Sequence, residues 1–353
     1  MEQGSNRISY IRRFVTNELG ENYWFEGCGR YVMGALGEPQ YDYIHFAGLT
    51  GDVFAQAYAR GKFWGDCVTD YRMHNPDAGA FVEGIFRRCG YASVFVPETE
   101  LRAHWGEYLQ KLMSSIDKGV PVISNLFLQK FAPWAVLVGY ENQGKTLLYM
   151  TDNMTKPAEI SAAQLLSPSV APPHPAAEAG LRGWLFVEEK VAEVPCSQLY
   201  RDSILSLPDL LTEKTDKYCF GAAAFRAWAE DVAAGKGAEI TPAAFDAWFI
   251  HGTYVCNCAT NACCCQTYLR RVMELCPDTE FLQQVCTLYW RMEDLWHGAG
   301  DSLEALGGGL FNLTLETLKN KERRGRIAAK IQEMADVADE ILDVLQQGIK
   351  MLQ

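Results

Sequence analysis

Cys28 opens an apolar run, GCGRYVMGAL, and stands between two glycines. The pattern predicts a helix over 28–36 with the thiol at its entry, where unpaired backbone N–H groups and the peptide dipoles stabilise a thiolate. A thiol so placed is a nucleophile at neutral pH. Gly27 and Gly29 leave room for a carbonyl to approach the backbone, and Asn22, six residues earlier, could donate to an oxyanion. The same residues also have an ordinary use, because free cysteine is among the most buried side chains and glycines serve in turns.

A thiol nucleophile works with a base, and the chain offers six histidines: His45, His74, His104, His174, His251 and His297. His45 and His74 lie in polar or glycine-containing stretches and are the better candidates to reach Cys28. His104 falls on a helix and His174 in a proline-rich loop. A second concentration of thiols, YVCNCATNACCCQ, places Cys256, Cys258, Cys263, Cys264 and Cys265 within ten positions. On one straight helix these point to opposite sides, and Cys256 and Cys263 stand about 10 Å apart along the axis. No zinc ion can be closed that way, so the segment is expected to pack as small apolar side chains and to hold no metal.

The elements that must position these groups alternate through the first half. FVEGIFRRCG (81–90) reads as a helix ending at Gly90, and YASVFVPE as a strand. Thr99 can cap a helix to about 118 in which Leu101, Trp105, Leu109, Leu112 and Ile116 recur at helical spacing. Strand-like runs follow at 120–127, 133–141 and 146–153, the last two joined by the hairpin loop NQGK. Ser161 to Gln164 has the form of a capping box, 167–176 is a proline-rich loop, and GWLFVEE (183–189) reads as a last strand. Beyond residue 197 strand patterning gives way to helices. Thr241-Pro242 starts one and Pro277 stops it, while Ile327, Ile331, Met334, Ile341 and Leu345 mark the terminal one. YCFGAAAFRAWAEDV (218–232) reads as a close-packing helix.

Composition narrows the function classes. Thirty-two basic and 44 acidic residues give a net charge of −12, which disfavours nucleic acid and anionic lipid as partners. The basic run KNKERRGR (319–326) reads as a solvated helix end. No stretch approaches the length of an apolar membrane span, and the first twenty residues lack the apolar block of a secretory signal. A cytoplasmic protein with its twelve cysteines as free thiols is expected, and nothing in the sequence asks for a cofactor.

Taken together, Cys28-Gly29, YDYIHFAGLTGDVF (41–54), SIDKGVPVI (115–123), PWAVLVGYE (133–141) and MTDN (150–153) resemble the N-terminal domain of the butirosin biosynthesis protein H family. More distantly they are similar to bacteriocin-processing cysteine peptidases. The resemblance covers roughly residues 20–190. It implies an α+β, papain-like domain, and in that family acyl transfer from a carrier thioester to an amine. Carried onto this chain, it makes Cys28 the nucleophile and Asp152, after the second hairpin strand, the orienting carboxylate.

Pro133 stands where the family has histidine, so a proton-transfer step worth roughly 10²- to 10⁴-fold has no assigned residue. A thioester tolerates this, because a thiolate leaves without a proton. The expectation is therefore a papain-like α+β domain over 1–195 and an all-helical domain over 196–353. It acts as a cysteine-dependent acyl or peptidyl transferase or peptidase-like enzyme on a small-molecule, peptide or acyl-carrier substrate. The helical domain would serve as a lid, a homodimer surface or a carrier dock. The alternative is a catalytically inactive binding module, with Trp134 and Tyr140 offering aromatic surface beside the cleft.

Overall fold

The computed structural model describes residues 4–9, 11–14, 23–59, 64–126, 128, 133–151, 153–166, 180–241, 250–309 and 312–352, with the side chains of 64, 66 and 250–261 outside that description. Asn22, Asp152 and His174 therefore lie outside the described residues, as do the proline-rich loop and the Pro242 helix start. In chain order the strands are β1 (Asn6–Arg7), β2 (Gln56–Ala59), β3 (Trp64–Cys67), β4 (Tyr91–Pro97), β5 (Val122–Ser124), β6 (Ala135–Glu141), β7 (Thr146–Met150), β8 (Ala158–Ser161), β9 (Gly183–Lys190) and β10 (Tyr218–Phe220). The helices are α1 (Trp24–Ala35), α2 (Tyr43–Thr50), α3 (Val68–Arg72), α4 (Ala78–Arg88), α5 (Glu98–Ala103), α6 (Trp105–Asp117), α7 (Ala162–Leu166), α8 (Cys196–Thr212), α9 (Gly221–Ala234), α10 (Ile250–Leu275), α11 (Leu282–His297), α12 (Leu315–Lys319) and α13 (Lys321–Leu352).

The chain divides into two compact units, Met1–Ala47 with Arg72–Val194, and Gly48–Tyr71 with Pro195–Gln353. The first is mixed α and β, and the C-terminal region is largely helical. The chain passes between the units three times, at 47/48, 71/72 and 194/195, where the sequence led to the expectation of a single boundary near 195. Residues 48–71 leave the N-terminal unit because β2 and β3 form a hairpin whose open edge is completed by β10, Tyr218 pairing with Ala59 and Phe220 with Ala57. The second unit is thus not all-helical. Its triplet Tyr218-Cys219-Phe220 is a strand, and the helix expected from 218 begins at Gly221, whose φ of 55° makes the corner.

In the first unit one antiparallel sheet runs in the order β4-β9-β5-β6-β7-β8, with β1 added against β6. The last strand in sequence, β9, is inserted between β4 and β5. The hairpin β6–β7 turns through Asn142, Gln143 and Gly144, all at positive φ, and a Cβ at 144 would meet Leu109 at 2.9 Å. That approach makes glycine the fitting residue there. The stripe expected on one helix over 99–118 is carried by two, because the backbone breaks at His104 (φ −124°, ψ 38°) between α5 and α6. Leu101, Leu112 and Ile116 are buried, and the Trp105 ring lies tilted 5.4 Å from that of Trp184 of β9.

The second unit packs α9, α11 and α13 around the stacked rings of Trp228 and Trp296, 5.5 Å apart. All five apolar positions expected on the terminal helix are buried on α13. Cys264 and Cys265 are buried on α10, in keeping with a packing role, while Cys263 is exposed. A buried carboxylate, Asp231, accepts from the Tyr58 hydroxyl at 2.8 Å and from Lys236 at 2.7 Å, tying β2 to the end of α9.

A surface cluster in the first unit sets an acid response. Lys190 Nζ lies 2.6 Å from Glu38 Oε1, and the Tyr91 hydroxyl donates to the same oxygen at 2.8 Å. Lys190 first, then Tyr91, hold the Glu38 carboxyl below its usual range. A lowered folded-state pKa gives stability that is present above the unfolded value of about 4.3 and is lost as pH falls through the folded value. Denaturant titrations between pH 7 and 3 should therefore show the gap between wild type and Glu38→Gln shrinking below about pH 5. A gap that does not change with pH would remove this assignment.

Candidate active site

Cys28 occupies the fifth residue of α1, not its first. The helix starts four residues earlier because Tyr23 is extended (φ −99°, ψ 121°) and its N–H is held by the Tyr43 hydroxyl at 3.0 Å. From Trp24 onward the chain is helical straight through Gly27 and Gly29. Glycine is tolerated here because the Phe46 ring lies against residue 29, where a Cβ would stand 2.9 Å from a ring carbon. The space expected to admit a substrate carbonyl at Gly29 is filled by an aromatic side chain.

The thiol is wholly enclosed, with Cys28 at 0 % exposure. Burial pushes its pKa well above the ordinary thiol value, and the neighbouring carboxylate of Glu26, itself buried, pushes the same way. Both effects oppose thiolate formation. The helix-entry effect expected to lower the pKa falls off within the first turn and does not reach a fifth residue.

No imidazole hydrogen-bonds the Cys28 sulfur among the described residues. His45 is fully buried on α2, but its Nε2 faces Cys89 Sγ at 3.9 Å, with the Tyr41 ring 5.0 Å away. His74 is half-buried in the loop after α3. His104 pairs with Glu100 at 3.7 Å and His297 with Glu304 at 2.8 Å. Pro133, half-buried just before β6, supplies no base. Sequence reasoning singled out neither Glu26 nor Cys89, and no residue pattern marks them, since burial alone gives them their surroundings.

The two aromatic residues expected to line a cleft are core residues. Trp134 is 2 % exposed, its ring edge-on to Phe25 at 4.9 Å, and its carbonyl accepts from the Thr151 hydroxyl at 2.7 Å. Tyr140 is buried, and its hydroxyl donates to Asp117 at 2.9 Å, an oxygen that Asn6 also reaches at 2.6 Å. This knots β6, β1 and the end of α6. Neither ring presents a face to a ligand. Cys28 and Trp134 do belong to one packed region, since α1 lies on β5 and β6.

Among the described residues no three His, Cys, Asp or Glu side chains are grouped as metal ligands, and no helix is long and apolar enough to cross a membrane. No protein-family model matches the chain, and no curated relative was found.

Proposed function

We propose that this protein is a binding module on a papain-like scaffold, in which Cys28 serves as core packing and not as a nucleophile. One observation carries the reading: the sulfur is fully enclosed, beside a buried carboxylate that opposes its ionisation. The proline at 133, where the resembling family has histidine, points the same way. A small molecule or a peptide is the ligand class, held without a covalent intermediate.

Acyl transfer from a thioester is the second reading. It is favoured by the seating of α1, which carries Cys28, on the strands β5 and β6 of the sheet. It requires the Cys28 thiol to become exposed and ionised.

Alkylation separates the two. With iodoacetamide at pH 7 and peptide mapping by mass spectrometry, exposed Cys263 and half-buried Cys196 should be modified first. Cys28 should react at least ~10³-fold more slowly, at the rate set by unfolding of a domain stable by 5 kcal/mol or more. A Cys28 that is modified ahead of Cys263 would overturn the binding reading and establish the nucleophile.

A further inference from the structure

Among the described residues, strand β4 is the outermost strand of the seven-stranded sheet and pairs on one side only, with β9. Its sequence, YASVFVP, is uncharged and rich in β-branched and aromatic residues, the composition that pairs readily with another chain when its edge is open. Val94 is 38 % exposed at its centre.

The direction of the backbone groups follows from the ladder. Glu98 N–H donates to Arg182 O at 2.7 Å, so by the two-residue alternation of an antiparallel pair the N–H groups of Val96 and Val94 face β9 and that of Phe95 faces away. By the same alternation the Ser93 N–H also faces away, and the next two outward positions are blocked. Pro97 has no N–H to offer. The Phe95 N–H donates to Glu83 Oε1 at 2.8 Å, the carboxylate reaching over from α4.

Two contacts hold Glu83 in place, and a third seats α4 on the strand beside it. Its Oε2 is bound by Arg87 one turn further along α4, its backbone carbonyl accepts from the Ser93 hydroxyl at 2.9 Å, and the Phe95 ring lies close against Gly79. The side chain is fixed over the rim of the sheet.

We infer that Glu83 guards the β4 edge and prevents a second copy of this chain from adding its own β4 there. Removing the carboxylate frees the outward Phe95 donor beside that of Ser93, making two successive outward donors at the centre of an apolar strand, and an antiparallel β4–β4 pairing of two copies satisfies them.

Sedimentation velocity over a concentration series tests this with folded protein. Glu83→Ala should self-associate at concentrations about tenfold or more below those at which wild type does. Glu83→Gln, which keeps an acceptor, should behave as wild type, and adding Val94→Lys to Glu83→Ala should return self-association to the wild-type level by charge repulsion at the new edge. Ile116→Val, a core change on α6, controls for association caused by lost stability. Should Glu83→Ala not fold, Pro97→Val, which gives the same edge a donor, carries the same expectation. Glu83→Ala as monodisperse as wild type, association that Val94→Lys leaves intact, or equal association of Ile116→Val would each overturn the inference.

Discussion

Replacing Gly48 with alanine lowers the stability of the second unit by about 3 kcal/mol or more, at the top of the range for overpacking. A Cβ at this position would stand 1.9 Å from a ring carbon of Tyr268, inside any permitted contact. Tyr268 has no room to withdraw. It is fully buried, its hydroxyl lies 2.6 Å from the Ser203 hydroxyl, and its ring is packed at 4.8 Å against Tyr200 and 5.6 Å against Phe54. Helix propensity acts in the opposite direction, since alanine is favoured over glycine by about 1 kcal/mol within a helix. The steric term is larger, so the sign is destabilising. Urea unfolding measures it, and the double variant Gly48→Ala/Tyr268→Leu should lose less than the two single losses combined, because the second change removes the obstacle. A Gly48→Ala protein as stable as wild type would show that Tyr268 is not fixed.

Trp134→Ala has an expected cost of about 3–5 kcal/mol, the range for emptying a buried aromatic site. Its ring supports Phe25 of α1 and is closed off from solvent, so the loss belongs to the core that seats the thiol helix on β6. The denaturation midpoint should fall while the slope with denaturant stays unchanged. Trp134→Phe should recover most of the loss. If Trp134→Ala instead folds with near wild-type stability, the ring is not core and the expectation of an aromatic binding surface returns.

Strands β6 and β7 were legible because alternating β-formers flank a short glycine-bearing loop, a signal contained in adjacent residues. The terminal helix was legible for the same reason, its apolar period being local. The β2–β3 hairpin was not, because its third strand lies some 150 residues away and the pairing of Tyr218 with Ala59 leaves no mark on either segment. The break at His104 was also hidden, since the apolar spacing runs through it without interruption.

The candidate site divides along the same line. Cys28 at a glycine-flanked position of an apolar helix, and the proline at 133, are properties of residue order. Whether that thiol ionises depends on its depth, on Glu26 beside it and on where the helix begins, and those were decided by Tyr43 holding Tyr23 and by Phe46 lying against Gly29. Residue order alone determined the alternating elements, the acidic balance and the positions of the thiols. The three-dimensional packing decided exposure and protonation, because solvation of a side chain is set by atoms brought to it from distant parts of the chain.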